Sequence, residues 1–322
     1  MRWWRAPVRP CWAAAAAVAR LREPAGIVTP MSRPVVSAVI PIRLIDSDVS
    51  ALRRLAGVVA QFPAGMEAVV VDDSASAQLR AAVSATLARC PRARHLPHPE
   101  TADQPFSIGH LRDVGTHAAR ADRVLFHDVD FTAPPRFYED LLDCVAAPWV
   151  RDDPTNTLCV PVFFLSRWGT WFYRLQPRRA WRGLARGRGP AHRLLVDRLV
   201  RGSSAILADR GKLLELGGHD PAFQGHGAED FELLHRLSKL HPRGARPANY
   251  SVDFGSRSEG PDGFRAYFAR YGQPLLDRQL AMVHLWHPRR RQDPRYYALR
   301  RQNFEMLARA LEDERPARSG VA

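Results

Sequence analysis

A chain of 322 residues with 46% hydrophobic and 9% aromatic side chains can bury a substantial core, which excludes a disordered or fibrous polymer and leaves one large or two small globular domains. The formal net charge of +14 points to anionic partners, yet no helix-turn-helix, zinc-finger or aromatic RNA-binding signature accompanies it, so no specific nucleic-acid partner is expected. Cys11, Cys90, Cys144 and Cys159 are scattered without Cys-x-x-Cys or Cys/His spacing, which argues against a zinc site and a disulfide framework and for a reducing compartment.

Arg2, Arg5 and Arg9 precede the apolar run Cys11–Ala19 in the outline of a signal peptide. That run is shorter than the roughly 20 residues of a membrane span, and Arg20, Arg22 and Glu23 follow it at once. Met31 stands just before the first strand, so residues 1–33 are read as a disordered leader or a misassigned start, and no later segment qualifies as a transmembrane helix. From there strands and helices alternate as in an open α/β sheet. The pattern predicts strand Val35–Ile40, helix Ser50–Ala60, strand Ala68–Val71, helix Ala75–Arg89, helix Leu111–Ala119 and strand Val124–Phe126. Beyond these, Phe137–Val145 reads as a helix, Leu158–Leu165 as one buried strand and the Gly/Arg-rich segment Gly183–Pro190 as a mobile loop.

Chemistry concentrates where these elements end. Pro41-Ile42-Arg43 puts a cation at the end of the first strand, suited to a diphosphate. Val69–Val71 runs into Asp72, Asp73 and Ser74, where a carboxylate could accept hydrogen bonds from a ribose hydroxyl or a base N–H while Ser74 caps the next helix. The run Val124–Phe131 carries Asp128 and Asp130, two carboxylates that point the same way on a strand and, as hard oxygen ligands, suit Mg²⁺ or Mn²⁺. A strand cap or a solvated turn is the plainer reading of an isolated Asp-x-Asp. In Phe223–Leu233, small residues from Gly225 to Ala228 leave room for a ligand, and Phe231, Leu234 and Leu237 recur at helical spacing. Glu229 and Asp230 therefore fall in the first turn of a helix, where the helix dipole favours anions and acidic residues are common anyway. Two arginine clusters, Arg178, Arg179, Arg182, Arg186, Arg188 and Arg193, then Arg289, Arg290, Arg291, Arg295, Arg300 and Arg301, suit an anionic lipid surface or an acidic substrate, or form a solvated surface.

In order and spacing, these motifs resemble the metal-dependent glycosyltransferases of the GT-A fold, family 2 above all, with a carboxyl-terminal half similar to β-1,4-galactosyltransferases and polypeptide N-acetylgalactosaminyltransferases. The likeness rests on Phe106–Gly115 leading into Phe126–Phe131, then Gly202–Ala205, Gly217-Gly218 and Phe223–Leu233, and it covers roughly Val35–Pro288. It implies a Rossmann-like mixed α/β sheet flanked by helices in a single catalytic domain. Residues 34–131 would form the nucleotide-sugar half, 132–288 the acceptor-binding and catalytic half, and 289–322 a basic helical tail. The implied activity is transfer of a sugar from a nucleotide donor, UDP-linked in this reading, to a saccharide or glycoconjugate hydroxyl. Inversion, with retention as the alternative that the N-acetylgalactosaminyltransferase likeness leaves open, and a role in surface polysaccharide synthesis go with it, while the cysteines suggest a cytoplasmic location and the arginine clusters peripheral contact at an anionic membrane.

Carried over residue by residue, the resemblance places Pro41, Arg43, Asp72, Asp73, Arg112, Asp113 and Asp128 around the nucleotide. Asp128 and Asp130 would hold Mn²⁺ or Mg²⁺ with His284, His287 being the alternative, while Asp230 would take the acceptor's proton and Glu229 would orient the acceptor. Three departures stand out. His226 occupies the place of a tryptophan in the galactosyltransferases, Ala228 replaces a glycine, and the insertion Arg167–Arg193 has no counterpart. Its Trp168, Trp171 and Tyr173 could stack on sugars or join a buried aromatic cluster. Two other classes compete. A sugar nucleotidyltransferase would call for a Gly-rich phosphate loop with a lysine near the first strand, and a non-catalytic polyanion binder leaves Glu229 and Asp230 without a purpose.

Overall fold

Val36–Ile42 (β1) and Met66–Asp72 (β2) are buried along their whole length, the condition of central strands covered on both faces, and they pair in parallel from Val36↔Met66 to Ile42↔Asp72. Their alternate side chains divide between two cores: Ala38, Ile40, Ala68 and Val70 face one, Val39, Val69 and Val71 the other. The structure is a computed structural model that describes residues 33–45, 49–99, 104–187, 190–256, 260–287 and 294–312. Residues 1–32 of the proposed leader, with Cys11, and Arg188 and Arg289–Arg291 lie outside the described residues.

Helix Val49–Val59 (α1) joins β1 to β2, and Ala77–Leu87 (α2) leads to the edge strand Ala93–Pro97 (β3). Next come Ile108–Ala118 (α3), Arg123–Phe126 (β4), Phe131–Thr132 (β5), Phe137–Ala146 (α4) and Pro148–Arg151 (α5). Leu158–Cys159 (β6) and Val162–Leu165 (β7) are followed by Arg167–Leu175 (α6), Pro177–Arg186 (α7) and Pro190–Leu195 (α8). Val196–Val200 (β8), Ile206–Asp209 (β9), Arg210–Glu215 (α9), Glu229–Leu240 (α10) and Gly263–Leu276 (α11) lead to Met282–His284 (β10), Pro294–Ala298 (α12) and Arg300–Glu312 (α13).

The larger sheet has the order β3-β2-β1-β4-β9-β6, its first four strands parallel and the last two antiparallel to their neighbours. The chain leaves β1 toward β2 on one side and returns through α3 to β4 on the other, so the carboxyl ends of β1 and β4 flank the reversal point where open α/β sheets bind ligands. A smaller sheet, β5-β10-β7-β8, sets β10 parallel to β7 and antiparallel to β5. Helices α1 and α4 cover one face of the larger sheet, and α3, α10, α11 and α13 the other.

The alternating strands and helices follow the sequence pattern, with two corrections. The expected strand Leu158–Leu165 is divided between the two sheets, because Pro161 has no N–H for a ladder. Val160 N instead donates to Ala205 O (2.7 Å) and Pro161 O accepts from Met282 N (2.8 Å), which swings the chain from one sheet to the other. The expected loop at Gly183 is helical through Arg186, since Ala180 and Leu184, one turn apart, bury themselves against Phe163 and Val196 in a third, smaller core. Tyr173 joins that core, whereas Trp168 and Trp171 stay exposed. Among the described residues no helix is long and apolar enough to cross a membrane.

Candidate active site

A cavity of about 380 Å³ opens at the carboxyl ends of β1 and β4, lined by Pro41, Arg43, Arg112, Asp128 and Asp130 together with Glu229, Asp230, His284 and His287. They come from several separate pieces of local structure. Arg43 leaves the end of β1 and is held by Asp73 (Nε to Oδ2 2.9 Å) and by the Gln104 carbonyl (2.8 Å), with its guanidinium 5.1 Å from the centre of the Phe106 ring. Asp73 thus supports Arg43 from below and is itself fully buried. Asp72 points away from the cavity, accepting from Ser74 N (3.0 Å) and pairing with His95 Nε2 (2.9 Å). Asp113 also turns aside, to His219, whose N and Nδ1 approach its two oxygens at 2.9 and 2.7 Å. Gly218 has φ +72°, and a Cβ there would strike the Asp113 carboxylate, so the glycine is required both by its backbone and by this contact. Of the expected nucleotide contacts, the structure therefore gathers Pro41, Arg43, Arg112 and Asp128 at the cavity and leaves Asp72, Asp73 and Asp113 behind it.

Asp128 and Asp130 part company. The chain turns after β4, with Phe131 N donating to Asp128 O (3.0 Å), so the two carboxylates do not share an extended strand face. Asp130 meets His284 and His287, and one ligand atom from each of the three lies within 4.8 Å of the others. Register explains the meeting: His284 on β10 stands opposite Phe131 on β5. The His284 ring stacks on Phe164 at 4.6 Å. Burial pulls the His284 pKa down to about 4 in spite of Asp130, which leaves a neutral imidazole able to bind a metal. For Asp130, burial alone would favour the neutral acid, but the His287 hydrogen bond and the Arg54 charge outweigh it and hold the carboxyl at about 2. One carboxylate and two imidazoles fit a divalent transition-metal ion, which accepts nitrogen as well as oxygen ligands, better than Mg²⁺, which prefers oxygen alone. Asp128, expected on the metal, is engaged elsewhere: Oδ1 accepts from Arg112 Nη2 (2.7 Å) and Oδ2 from Ser204 Oγ (3.2 Å).

Arg112 is the hinge pin of the site. It rises from α3 with no solvent exposure, and while one nitrogen holds Asp128, Nη1 donates to Asp230 Oδ1. Burial alone would lower its pKa; the carboxylates of Asp230, Asp128 and Glu229 raise it instead. Glu229 and Asp230 open α10 as the sequence predicts, behind Gly225, Gly227 and Ala228, all with positive φ. Ala228 at φ 78° holds a conformation that costs an L-residue roughly 1 to 2 kcal/mol and that a glycine would adopt freely. Burial, reinforced by Asp230, pushes the Glu229 pKa up to about 8, and its Oε2 makes no hydrogen bond. His226 also lines the cavity, its Nδ1 3.2 Å from Tyr296 Oη in α12.

Sequence reasoning missed three participants. Arg54 reaches from α1 to within 2.6 Å of Asp130, Ser204 binds Asp128, and His219 directs Nε2 to 4.0 Å from Asp230 Oδ1. His219 had a signal as the residue that follows the Gly217-Gly218 turn, and Ser204 as a member of the Gly202–Ala205 segment, whereas Arg54 had none.

The model of the family described as glycosyltransferase like family 2 matches residues 37–311. No curated protein sequence matches the chain. Solved structures resembling it include S. aureus TarS 1-349, at 17% identity and TM-score 0.42, over 63% of this chain and 54% of that one. The mannosyltransferase PcManGT from Pyrobaculum calidifontis, in complex with GDP-Man and Mn²⁺, shows 16% identity and TM-score 0.47 over 88% of this chain and 65% of that one. Glucosyl-3-phosphoglycerate synthase from Mycobacterium tuberculosis, in complex with Mn²⁺, UDP and glucosyl-3-phosphoglycerate, shows 18% identity and TM-score 0.38 over 68% of this chain and 72% of that one. The chain thus spans about half of the TarS fragment's length and two thirds of the mannosyltransferase's. Since the family match runs from β1 to the end of α13 and takes in every side chain described above, the chain belongs to glycosyltransferase like family 2 and has the GT-A fold.

Proposed function

We propose that the protein is a metal-dependent, inverting glycosyltransferase that moves a sugar from a uridine diphosphate donor to a hydroxyl of a saccharide or glycoconjugate. The observation that carries this reading is the placement, around one cavity, of the Asp130–His284–His287 donor set and the Glu229–Asp230 pair, with Arg112 linking the two sides through Asp128 and Asp230. A divalent ion held by Asp130, His284 and His287 would offset the charge that grows on the departing diphosphate.

The remaining chemistry falls to the chain. Arg43 offers its guanidinium to the anionic donor at the end of β1. An acceptor hydroxyl is a weak nucleophile, and the Asp230 carboxylate removes its proton as it attacks the anomeric carbon. Arg112 fixes that carboxylate and ties its position to Asp128 on the donor side. Glu229, protonated near neutral pH, donates a hydrogen bond that orients the acceptor. With one base and no covalent nucleophile, the acceptor oxygen bonds to the anomeric carbon as the bond to the diphosphate breaks, in one step that inverts the anomeric centre. The reading carries with it a cytoplasmic place in surface polysaccharide synthesis, in keeping with the free thiols of Cys90, Cys144 and Cys159.

A thermal-shift screen of nucleotide sugars with and without Mn²⁺ tests the proposal, because a ligand that binds only the native state raises the melting temperature. A rise that needs both UDP-sugar and Mn²⁺ is expected. A rise confined to nucleoside triphosphate with sugar phosphate would point to a nucleotidyltransferase instead.

A further inference from the structure

Helix α6 turns its apolar side outward. Trp168, Trp171 and Leu175 are 65, 60 and 57% exposed, and their spacing of three and four residues puts them on one stripe. The helix cannot roll to hide them. Gly169 and Tyr173 on its other side are buried, Gly169 so close to the Leu195 carbonyl that a Cβ would overlap it. Ser166 caps the helix by accepting from Gly169 N (3.0 Å), and Thr170 Oγ1 accepts from Trp286 N (2.7 Å). Beside the stripe, Arg174, Arg178, Arg179 and Arg182 are all exposed, and the segment from Arg167 to Arg186 contains no Asp or Glu.

Tryptophan and leucine bordered by arginine match the interfacial layer of a bilayer, where indole rings settle at headgroup depth and arginines meet lipid phosphates. A polyanion alone would account for the arginines and leave the apolar stripe unused. We propose that α6 and α7 form a docking surface for an anionic lipid bilayer, with Trp168, Trp171 and Leu175 in the headgroup layer and Arg178, Arg179 and Arg182 on its phosphates. The inference is independent of the proposed transfer reaction, although it has a consequence for it. Trp286, 4.8 Å from the Arg167 guanidinium, stands between His284 and His287 in the chain, so the start of α6 packs on the segment that carries both histidines of the cavity. An acceptor anchored in lipid would be presented there.

Sedimentation of the full chain with phosphatidylcholine vesicles, with and without phosphatidylglycerol, tests this at low salt. The wild type should partition to the anionic vesicles alone, with a blue shift of its tryptophan emission. Replacing Arg178, Arg179 and Arg182 by glutamine should weaken partitioning on the order of 100-fold, taking each arginine near the surface at about fivefold, and should lessen its salt dependence. Trp168→Ser, Trp171→Ser and Leu175→Ser together should abolish the blue shift and most of the binding, while the melting temperature and its response to nucleotide sugar stay as in wild type. Quenching of wild-type fluorescence by brominated phosphatidylglycerol checks insertion without any substitution. Wild-type protein that ignores anionic vesicles, or a serine variant that binds them equally well, overturns the proposal. So does a wild-type dimer in vesicle-free buffer that the serine variant loses with vesicle binding intact, which would make the stripe a contact between two copies.

Discussion

Arg54 Nε stands 2.6 Å from Asp130 Oδ1, so a cation from α1 already lies against the carboxylate that anchors the proposed metal site. Arg54 and a divalent ion would then compete for the same oxygen. Arg54→Gln should tighten Mn²⁺ binding several-fold in the absence of nucleotide, since like charges a few ångströms apart repel by about 1 kcal/mol or more. Asp130→Ala should abolish Mn²⁺-dependent UDP binding, and His284→Ala, which also empties the stacking place on Phe164, should weaken it more than His287→Ala. Isothermal calorimetry measures all four, and undiminished Mn²⁺-dependent UDP affinity in Asp130→Ala would remove the metal from this place.

Arg112 should matter as much to folding as to catalysis. Arg112→Met leaves Asp128 and Asp230 without their common cation, and breaking a buried ion pair in this way typically costs about 3 to 5 kcal/mol. Urea titration should show that loss. Adding Asp230→Asn to Arg112→Met should restore part of it, because the second change removes one stranded charge. Strictly additive losses would mean that the pair does not interact in solution.

Stability should depend on pH through Glu229. Its folded pKa of about 8 lies above its ordinary 4.5, so between these values the native state holds a proton that the unfolded chain releases. The contribution is fully present below about pH 4.5 and is lost as the pH rises through 8. Glu229→Gln, which keeps the shape of the protonated acid, should flatten that limb and gain on the order of 1 to 3 kcal/mol relative to wild type at alkaline pH. Parallel urea midpoints on the two proteins across this range decide it; identical slopes would mean that Glu229 titrates as an ordinary acid.

Kinetics should separate the two adjacent carboxylates. If Asp230 takes the acceptor proton, Asp230→Asn should lower kcat by about 10² to 10⁴ with the donor Kd little changed. Glu229→Gln should act mainly on the acceptor KM, as the loss of a contact made equally in ground and transition states does. A collapse of kcat in Glu229→Gln with near-normal turnover in Asp230→Asn would exchange the two roles.

Much of the fold was legible because its central strands are valine-rich runs and its helices carry apolar residues at helical spacing. β3 escaped notice because Ala93–Pro97 is only half buried and holds Arg94, His95 and a proline, the composition of an edge. β7 fell within the expected strand Leu158–Leu165, but a second sheet was not legible, since its strands are two to five residues long and pair across large sequence separations. At the site, strand ends and the α10 start declared themselves locally, through carboxylates following apolar runs. Partner choice did not. Nothing near Asp128 announces Arg112 and Ser204, nothing near Asp72 announces His95, and whether an aspartate faces a cavity or a neighbouring histidine is settled by tertiary packing alone.

The pairing of His284 with Phe131 ties Asp130, in the first half of the chain, to a strand that is among the last to be made. During synthesis, the strand ends of the larger sheet and the acidic start of α10 all emerge before β10 does. Until β10 finds its place, the nascent chain has its carboxylates but lacks both imidazoles, so it cannot assemble the cation site. Cation binding would thereby act as a seal on a finished molecule, stabilising the long-range pairing that loop-closure entropy opposes most.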